Sequence, residues 1–545
     1  MLLIDLLPVI AVCYGSLLLA RRLLHYFQLE SYQFRGFFKT LLRQLDRALL
    51  PGLVFGGVSF ALLCGLALAD RLAPNAAIAT AAVLYWFIGL LILASAWIVS
   101  CKAGAGAKEK KPFRITARVK RLYGWLALVI IGAAALLWYL FRPAESYMRL
   151  GYTVFSLVPL FLPVWVALAA LIAVPLEKLI YEMYFRDARK KLLANDRLIR
   201  IGITGSYGKT STKFILREML SQKYHVLATP DSYNTPMGIT GIIRSRLTPA
   251  DQVFIAEMGA RHPQDIRELC RLVHPTIGVL TSVGPQHLDT FHTLETIKNT
   301  KYDLIRALPG DGLAVFANDG GIVTELYEGT DKPKLLAGRE GADAWASDVK
   351  VDARGSSFTL HLAGQDPIPC TTPLLGRHNI DNIVLAAALA SRLGVGARQL
   401  QTAIAQLNPV QHRLQIVSDF GGVTVIDDAF NTNPVSSKAA LDVLKMFSGR
   451  RIIVTPGMVE LGAEEAQYNR EFGEYMADCV DLALLVGRKH TAPIAEGLLA
   501  KGFDAEHILT FATLEEAVAA LRALNRPGDT VMYENDLPDS YSEGE

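Results

Sequence analysis

The sequence predicts an α-helical transmembrane domain followed by two α/β units, the second of them smaller and doubly wound. Three observations support this fold class. Long apolar runs fill about the first third of the 545 residues, and a strand, a glycine-rich loop and a helix follow near residue 200. Short apolar runs then alternate with helical stretches to the C-terminus, which is the pattern of parallel sheets flanked by helices.

Charge and cysteine content exclude some classes of protein. The formal net charge of +3 is too small to indicate a nucleic-acid partner. No two of the six cysteines form a C-x-x-C pair, so neither a zinc ribbon nor a disulfide framework is predicted, and we expect a reducing compartment. The cysteines are Cys13, Cys64, Cys101, Cys270, Cys370 and Cys479.

Five stretches in the first third are long and apolar enough to cross a bilayer. They cover residues 2–20, 51–69, 77–99, 122–141 and 152–175. The first stretch has no basic start, contains Asp5 and Pro8, and is followed by basic residues and further spans, so we do not expect a cleaved signal peptide. The sequence therefore predicts a five-span transmembrane domain over residues 1–175.

The loops between these spans differ in charge, which predicts orientation. The first loop contains Arg21, Arg22, Arg35, Lys39, Arg43 and Arg47, and the third contains Lys102, Lys108, Lys110, Lys111, Arg114, Arg118, Lys120 and Arg121. The second loop carries only Arg71, and the fourth Arg142 and Arg149. Basic loops stay in the cytoplasm, so the N-terminus is expected outside a bacterial inner (cytoplasmic) membrane and residues after 175 inside.

The basic loops contact membrane lipids in either of two ways, by general surface anchoring or by binding a specific anionic headgroup. The spans themselves contain almost no ionisable residues, which argues against an ion relay. Charged and apolar residues alternate from 176 to 197, which is typical of an amphipathic helix leaving the membrane surface. We expect a juxtamembrane linker there.

The stretch from 198 to 221 predicts a nucleotide-phosphate site. An apolar strand containing Ile203 is followed by a loop and a helix, an order that directs backbone N–H groups and a helix N-terminus at one point. Lys209 is expected to reach the β- and γ-phosphates and Thr210 to offer its hydroxyl to Mg²⁺. The loop residues are Gly205, Ser206, Gly208, Lys209, Thr210 and Ser211. This spacing is shorter than the usual P-loop, and a turn without a ligand is the alternative.

Strand-like runs continue on both sides of a predicted hinge at 407–413. The runs before it are 253–256, 277–281 and 313–316, and those after it are 423–426, 452–455, 482–486, 508–511 and 530–533. Helices, such as those expected at 435–447 and 513–524, separate the later runs. We therefore expect a nucleotide-binding domain over 198–408 and a smaller domain over 409–545.

Four further clusters contain residues suited to catalysis. Glu257 follows one predicted strand, and His287 and Asp289 follow another, with Lys301 fourteen residues beyond His287. The other clusters are the segments 376–382 and 427–434, which begin Gly-Arg-His-Asn and Asp-Asp-Ala-Phe. Each cluster alone is compatible with a structural role.

In this order the motifs resemble the Mur ligase family, and within it the D-alanyl-D-alanine-adding branch. The motifs are Gly-x-x-Gly-Lys-Thr, Asn-Thr-Pro-Met-Gly (234–238), Glu-Met-Gly (257–259), His-Leu-Asp, Gly-Arg-His-Asn, His-Arg-Leu (412–414) and Asp-Asp-Ala-Phe-Asn-Thr-Asn-Pro. The resemblance covers about residues 196–530 and implies a P-loop central domain and a Rossmann-like C-terminal domain. It also implies ATP-dependent amide formation, in which a carboxylate of a peptidoglycan-type precursor becomes an acyl phosphate that an amine attacks.

The resemblance assigns the phosphoryl-transfer residues. Lys209 and Thr210 would hold phosphate and the first Mg²⁺, with Glu257 as that ion's carboxylate ligand. His287 and Lys301 would bind a second Mg²⁺, with the lysine carbamylated so that it offers an oxygen. The remaining residues are Asn234 near the reacting carboxylate, Asn379 at adenine, Arg413 at the phosphates, Asp428 at the ribose or hinge, and Asn431 and Asn433 on the closing face.

Two departures from the family shape the expected function. Membrane spans stand where relatives have a domain for the uridine nucleotide, and the relatives' Lys-Gly-Ser-Arg-like segment is replaced by 533–541, which is either an amine-binding segment or a solvated tail. We expect a membrane-anchored ligase with a carboxylate acceptor, lipid-linked or polymer-bound, and an amine donor. An ATP-driven transporter and a non-catalytic scaffold are the alternatives.

Overall fold

The computed structural model describes residues 2–30, 32–72, 78–104, 112–141, 151–430 and 432–537. Two compact units form, one on Met1–Tyr181 and one on Glu182–Leu537. Several residues used to predict orientation lie outside the described ranges, namely Lys108, Lys110, Lys111, Arg142 and Arg149.

The first unit is helical, and its described part contains the five membrane-length apolar segments that the sequence predicts. The helices are α1 (Leu2–Leu29), α2 (Phe34–Arg43), α3 (Leu45–Leu72), α4 (Ile78–Gly104), α5 (Ala117–Phe141) and α6 (Leu162–Leu193), which also carries the chain into the second unit. Most of the predicted linker at 176–197 is thus the end of α6. At Gly15 of α1 a Cβ would lie 2.2 Å from the ring of Phe55, so the glycine permits close helix packing.

The second unit contains two sheets, and the first has nine strands in the order β2-β3-β1-β4-β5-β6-β7-β8-β9. They are β1 (Ile199–Thr204), β2 (Val226–Ala228), β3 (Val253–Glu257), β4 (Ile277–Leu280), β5 (Leu313–Ala317), β6 (Lys334–Gly338), β7 (Ala344–Asp352), β8 (Gly355–Leu362) and β9 (Ile368–Thr372). Neighbours from β2 to β7 pair in parallel, as predicted, whereas β7, β8 and β9 are antiparallel.

In its described part, the first sheet's domain contains an apolar core, in which helices pack on buried strands, and eight helices in all. They are α7 (Lys209–Leu220), α8 (Pro236–Arg246), α9 (Asp265–Val273), α10 (Leu288–Phe291), α11 (Leu294–Arg306), α12 (Ile322–Glu328), α13 (Arg377–Arg392) and α14 (Ala397–Ala405). α7 and α13 contribute much of this core.

The second sheet has six strands in the order β10-β11-β15-β12-β13-β14, with only β10 antiparallel to its neighbour. The strands are β10 (Gln415–Phe420), β11 (Val423–Asp428), β12 (Arg451–Thr455), β13 (Leu482–Val486), β14 (Ile508–Phe511) and β15 (Thr530–Glu534). The helices are α15 (Pro434–Leu444), α16 (Glu465–Met476), α17 (Ala492–Ala500) and α18 (Leu514–Leu524). This is the predicted Rossmann-like arrangement.

Strand register brings the candidate residues together. Ile203 pairs with Glu257, and Thr204 pairs with Leu280, so the glycine-rich loop, Glu257 and the segment after β4 share one sheet edge. In the second sheet Asp428 pairs with Glu534 at the corresponding carboxyl end. Open α/β sheets bind ligands at such edges.

Candidate active site

The glycine-rich loop joins β1 to α7 and is tightly held. Gly205 and Gly208 have φ angles of 155° and 80°, and a Cβ at Gly205 would lie 2.0 Å from the Thr281 hydroxyl. The loop therefore needs glycine for both conformation and space. Ser206 is buried and donates to the Gly284 carbonyl at 2.9 Å, so its hydroxyl ties the loop to the segment after β4.

Lys209 begins α7, with Thr210 and Ser211 half-buried in its first turn. The Lys209 Nζ donates to the carbonyls of Gly205 at 2.7 Å and Ser206 at 3.1 Å, so the ammonium lies over the loop. Burial lowers the pKa of Lys209 to about 8, which Glu257 opposes and Arg413 reinforces. A phosphate on the loop would meet this cation.

Glu257 is 1% exposed and both of its carboxylate oxygens have partners. Lys213 Nζ lies 3.0 Å from Oε2, and Asn234 Nδ2 donates to Oε1 at 3.1 Å. Lys213 is fully buried and lies one helical turn after Lys209. No sequence motif indicated that this lysine contacts Glu257. Asn234 is thus placed beside the carboxylate that the sequence assigned to Mg²⁺.

Lys301 lies on α11 and is 2% exposed. Among the described residues no carboxylate pairs with it. Burial, and then the nearby charge of Lys209, hold the pKa of Lys301 well below its usual value. A lowered pKa increases the fraction of Lys301 that is present as the nucleophilic neutral amine.

His287 precedes α10 and points toward the second sheet. Its Nδ1 lies 2.5 Å from Oε2 of Glu460, and both side chains are 11% exposed. Burial lowers the pKa of His287, whereas the hydrogen bond to Glu460 opposes that shift. Lys301 is close enough to lower it further, so the two predicted ligands of the second metal are near each other.

The remaining nucleotide-binding predictions fall on three described segments and one position outside them. Asn379 is buried near the start of α13 and donates to the Leu375 carbonyl at 2.8 Å. The Asn433 side chain caps α15 by accepting from the N–H groups of Val435 and Ser436. Asn431 lies outside the described residues.

Arg413 and Asp428 stand at the edge of the second sheet. The Arg413 guanidinium lies 4.3 Å from the ring centroid of Phe430, an arrangement in which the ring stabilises the cation. Burial lowers the pKa of Arg413, which Asp428 and Glu257 oppose. Burial also raises the pKa of Asp428 to about 7, and its Oδ1 accepts from the Leu414 N–H at 3.1 Å.

The acidic C-terminal segment begins inside the protein. Glu534 is fully buried, accepts from the Thr455 hydroxyl at 2.7 Å, and has its pKa raised by burial to about 8. Asn535 is 6% exposed and donates to the Gly457 carbonyl. The solvated-tail alternative is therefore wrong at these two positions, while residues 538–541 lie outside the described ranges.

Charges from both sheets interact at this site. Lys209 is coupled to Glu257, Arg413 and Lys301, and His287 is coupled to Lys301. Cations from both sheets therefore lie near the glycine-rich loop, which suits a polyphosphate.

The donor groups at the site differ in how well they suit Mg²⁺. Within the described ranges no three His, Cys, Asp or Glu side chains converge on one point. Mg²⁺ is usually held by one or two carboxylates with phosphate oxygens and waters, so Glu257 and the Thr210 hydroxyl fit a first ion. His287 and Lys301 offer only nitrogens, so they fit a second ion only if Lys301 gains an oxygen.

Comparisons with known proteins cover the second unit. A model described as "Mur ligase middle domain" matches residues 203–390, and one described as "Mur ligase, glutamate ligase domain" matches 412–533. A UDP-N-acetylmuramoyl-tripeptide–D-alanyl-D-alanine ligase of Mycobacterium tuberculosis H37Rv is 34% identical over 355 residues, which is 61% of this chain and 69% of the relative. The enzyme of that name from Escherichia coli K12 is 30% identical over 303 residues, 55% of this chain and 67% of the relative.

Solved structures agree with these matches. A crystal structure of MurF from Acinetobacter baumannii has a TM-score of 0.60 at 25% identity and covers 66% of this chain and 78% of its own. MurF ligase from Thermotoga maritima in complex with ADP has a TM-score of 0.59 at 25% identity, covering 66% of this chain and 81% of its own.

Proposed function

This chain belongs to the Mur ligase family and is an ATP-dependent peptide ligase of peptidoglycan synthesis, and we propose that it works at a membrane surface through an acyl phosphate. The proposal assigns 1–175 to a transmembrane domain, 176–197 to a linker, 198–408 to the ATP-binding domain and 409–545 to the C-terminal domain. The gathering of Lys209, Glu257, Lys301, Arg413 and His287 between two sheet edges carries the proposal.

In the proposed reaction a substrate carboxylate attacks the γ-phosphate of ATP, and an amine then displaces phosphate from the acyl phosphate. Lys209 and Arg413 would neutralise charge on the phosphates, because preorganised cations stabilise the charge of the transferring group. Asn234, held by Glu257, would face the acceptor carboxylate. Asn379 and Asp428 would bind the nucleoside, with Asn431 and Asn433 on the closing face.

We propose Glu257 and Thr210 as ligands of a first Mg²⁺, and His287 with carbamylated Lys301 for a second. Bound Mg²⁺ supplies positive charge beside the phosphate oxygens. The lowered pKa of Lys301 supports carbamylation, since a neutral amine can add carbon dioxide and an ammonium cannot. The resulting carbamate would replace a repelling cation by an anionic oxygen donor.

Features of the first unit support membrane attachment. Besides five membrane-length segments, the unit contains α2, whose faces differ in character. Phe38 and Leu42 are 45% and 70% exposed, and Arg35, Lys39 and Arg43 are exposed on a neighbouring face. An amphipathic helix of this kind lies in the plane of a bilayer with its cations at anionic headgroups. The loop charges support a cytoplasmic location for the second unit at a bacterial inner membrane.

The acceptor substrate is expected to differ from that of the relatives. The relatives are named for a UDP-linked muramoyl tripeptide and D-alanyl-D-alanine. The family models leave residues before 203 unmatched, and the described part of that region contains five apolar helices of membrane-spanning length. We therefore propose a lipid-linked or polymer-bound acceptor that reaches the active site from the membrane.

The test measures ADP release by the full chain in nanodiscs. We expect ADP release to require both an acceptor with a free carboxylate and an amine, with a lipid-linked muramoyl peptide preferred to its UDP-linked form. Lys209→Ala should lower the rate by about 100- to 1,000-fold, whereas Lys350→Ala, an exposed change on β7, should not. ATP turnover that no acceptor alters, or that survives in Lys209→Ala, would refute the proposal.

A further inference from the structure

Glu460 makes a contact that the family motifs do not explain. It lies 173 positions after His287, between β12 and α16, and its Oε2 is 2.5 Å from the imidazole Nδ1. The surrounding backbones also meet, since a Cβ on Gly462 would lie 3.5 Å from the Asp289 nitrogen. The histidine belongs to the first sheet's domain and the glutamate to the second.

We propose that Glu460 is a positioning residue, which fixes the orientation and tautomer of His287 so that Nε2 is the atom available to a metal. The inference rests on the proposed function, because the metal-binding role of His287 is part of it. It adds that the C-terminal domain completes a metal site whose direct ligands belong to the central domain.

The contact with Glu460 determines which nitrogen of the His287 imidazole carries the proton. A neutral imidazole carries one proton, and a carboxylate can only accept, so the proton resides on the nitrogen that faces Glu460. Nδ1 then donates to Oε2, and the lone pair of Nε2 is free for coordination. Carboxylate–histidine–metal arrangements of this kind orient the ring and raise its basicity, and their loss typically lowers metal affinity about 10- to 100-fold.

The geometry around Glu460 is consistent with a fixed partner rather than a chance surface contact. An Arg261 Nη2 lies 3.8 Å from the other oxygen of Glu460, so the glutamate has contacts on both of its carboxylate oxygens. Both members of the pair also have left-handed backbones, with φ angles of 52° at His287 and 66° at Glu460. Residues other than glycine adopt that conformation at a cost, so the surrounding structure holds both side chains in place.

The test uses Mn²⁺ as a paramagnetic probe, titrated into the full chain in detergent with ADP and followed by electron paramagnetic resonance. We expect Glu460→Gln and Glu460→Ala to lower the affinity of one Mn²⁺ site by about 10- to 100-fold. The glutamine variant is included because it preserves the shape of the side chain. His287→Ala identifies that site by removing it. Glu465→Gln is the matched control, since Glu465 makes the same contact with His490 Nδ1, at 2.7 Å, inside the C-terminal domain.

The outcomes separate the two levels of the argument. Mn²⁺ affinity unchanged in both Glu460 variants, while His287→Ala removes a site, overturns the positioning role and leaves the proposed function intact. Binding that His287→Ala does not alter overturns the metal assignment itself. Equal losses in Glu460→Gln and Glu465→Gln would also overturn the inference, because the effect would then follow from general loss of a histidine contact.

Discussion

Replacing Lys213 by methionine tests whether the charge balance around Glu257 stabilises the central domain. The substitution keeps an unbranched apolar stem and removes the ammonium, whose Nζ lies 3.0 Å from Oε2 of Glu257. The two side chains are 0% and 1% exposed, so little solvent is available to the carboxylate that remains. Removing one partner of such a buried pair costs about 3–5 kcal/mol of unfolding free energy.

For a domain of this size 1 kcal/mol corresponds to about 2–4 °C in the unfolding midpoint, so Lys213→Met should lower it by about 6–20 °C. Thermal unfolding of the full chain in detergent, followed by circular dichroism, measures the shift. Lys298→Met is the matched control, because Lys298 lies 2.9 Å from Glu325, whose side chain is 66% exposed. Pairs of that kind contribute about 1 kcal/mol or less.

A double variant decides whether the unpaired charge is the cause. Lys213→Met with Glu257→Gln removes both charges and should recover much of the lost stability, since no isolated carboxylate is left buried. The reasoning is refuted if Lys213→Met behaves like Lys298→Met, or if the double variant is no more stable than Lys213→Met alone.

Three further predictions concern other residues. Glu534 has a folded pKa of about 8 against a reference value of 4.5, so the fold binds its proton more tightly and wild-type stability should fall as pH rises through that interval. The unfolding midpoint of Glu534→Gln should depend less on pH than that of the wild type, and the variant should be the more stable of the two above about pH 8. Parallel curves of midpoint against pH would contradict this. In buffer containing ¹³C-bicarbonate, the carbon NMR spectrum of the wild type should show a carbamate resonance that the spectrum of Lys301→Arg lacks. The variant should also lose ligase activity. Cys101 is exposed at the end of α4. In a variant that retains only this cysteine, a membrane-impermeant maleimide should label Cys101 in inside-out vesicles and not in spheroplasts. Labelling in spheroplasts only would contradict the proposed orientation.

Local patterns predicted much of the architecture. The strand β1, the loop at Gly205–Gly208 and the helix α7 follow one another within about 20 residues, so their order alone indicates a phosphate site. The length and apolar composition of five segments likewise predict helices that could span a membrane. The antiparallel extension was missed, although β8 alternates buried and less buried residues, with Phe358, Leu360 and Leu362 on one face.

Contacts between distant positions could not be predicted in this way. Lys213 and Glu257 are 44 residues apart, and nothing in the helical pattern of α7 distinguishes a buried lysine from an exposed one. The contact between His287 and Glu460 depends on how the two sheets pack together, and no local periodicity encodes that packing. Sequence motifs therefore predict candidate ligands, whereas the residues that contact those ligands become visible only in the structure.

The charges at the site explain why its parts come from both domains. Glu257 contacts Lys213 and Asn234 directly, and neither it nor Asp428 fully offsets the burial that lowers the pKa values of Lys209 and Arg413. A triphosphate supplies the missing negative charge, so its binding should raise both pKa values and draw the two sheet edges together. We therefore expect nucleotide binding to favour closure of the two domains, because Lys209 and Arg413 belong to different domains and interact with each other's charge.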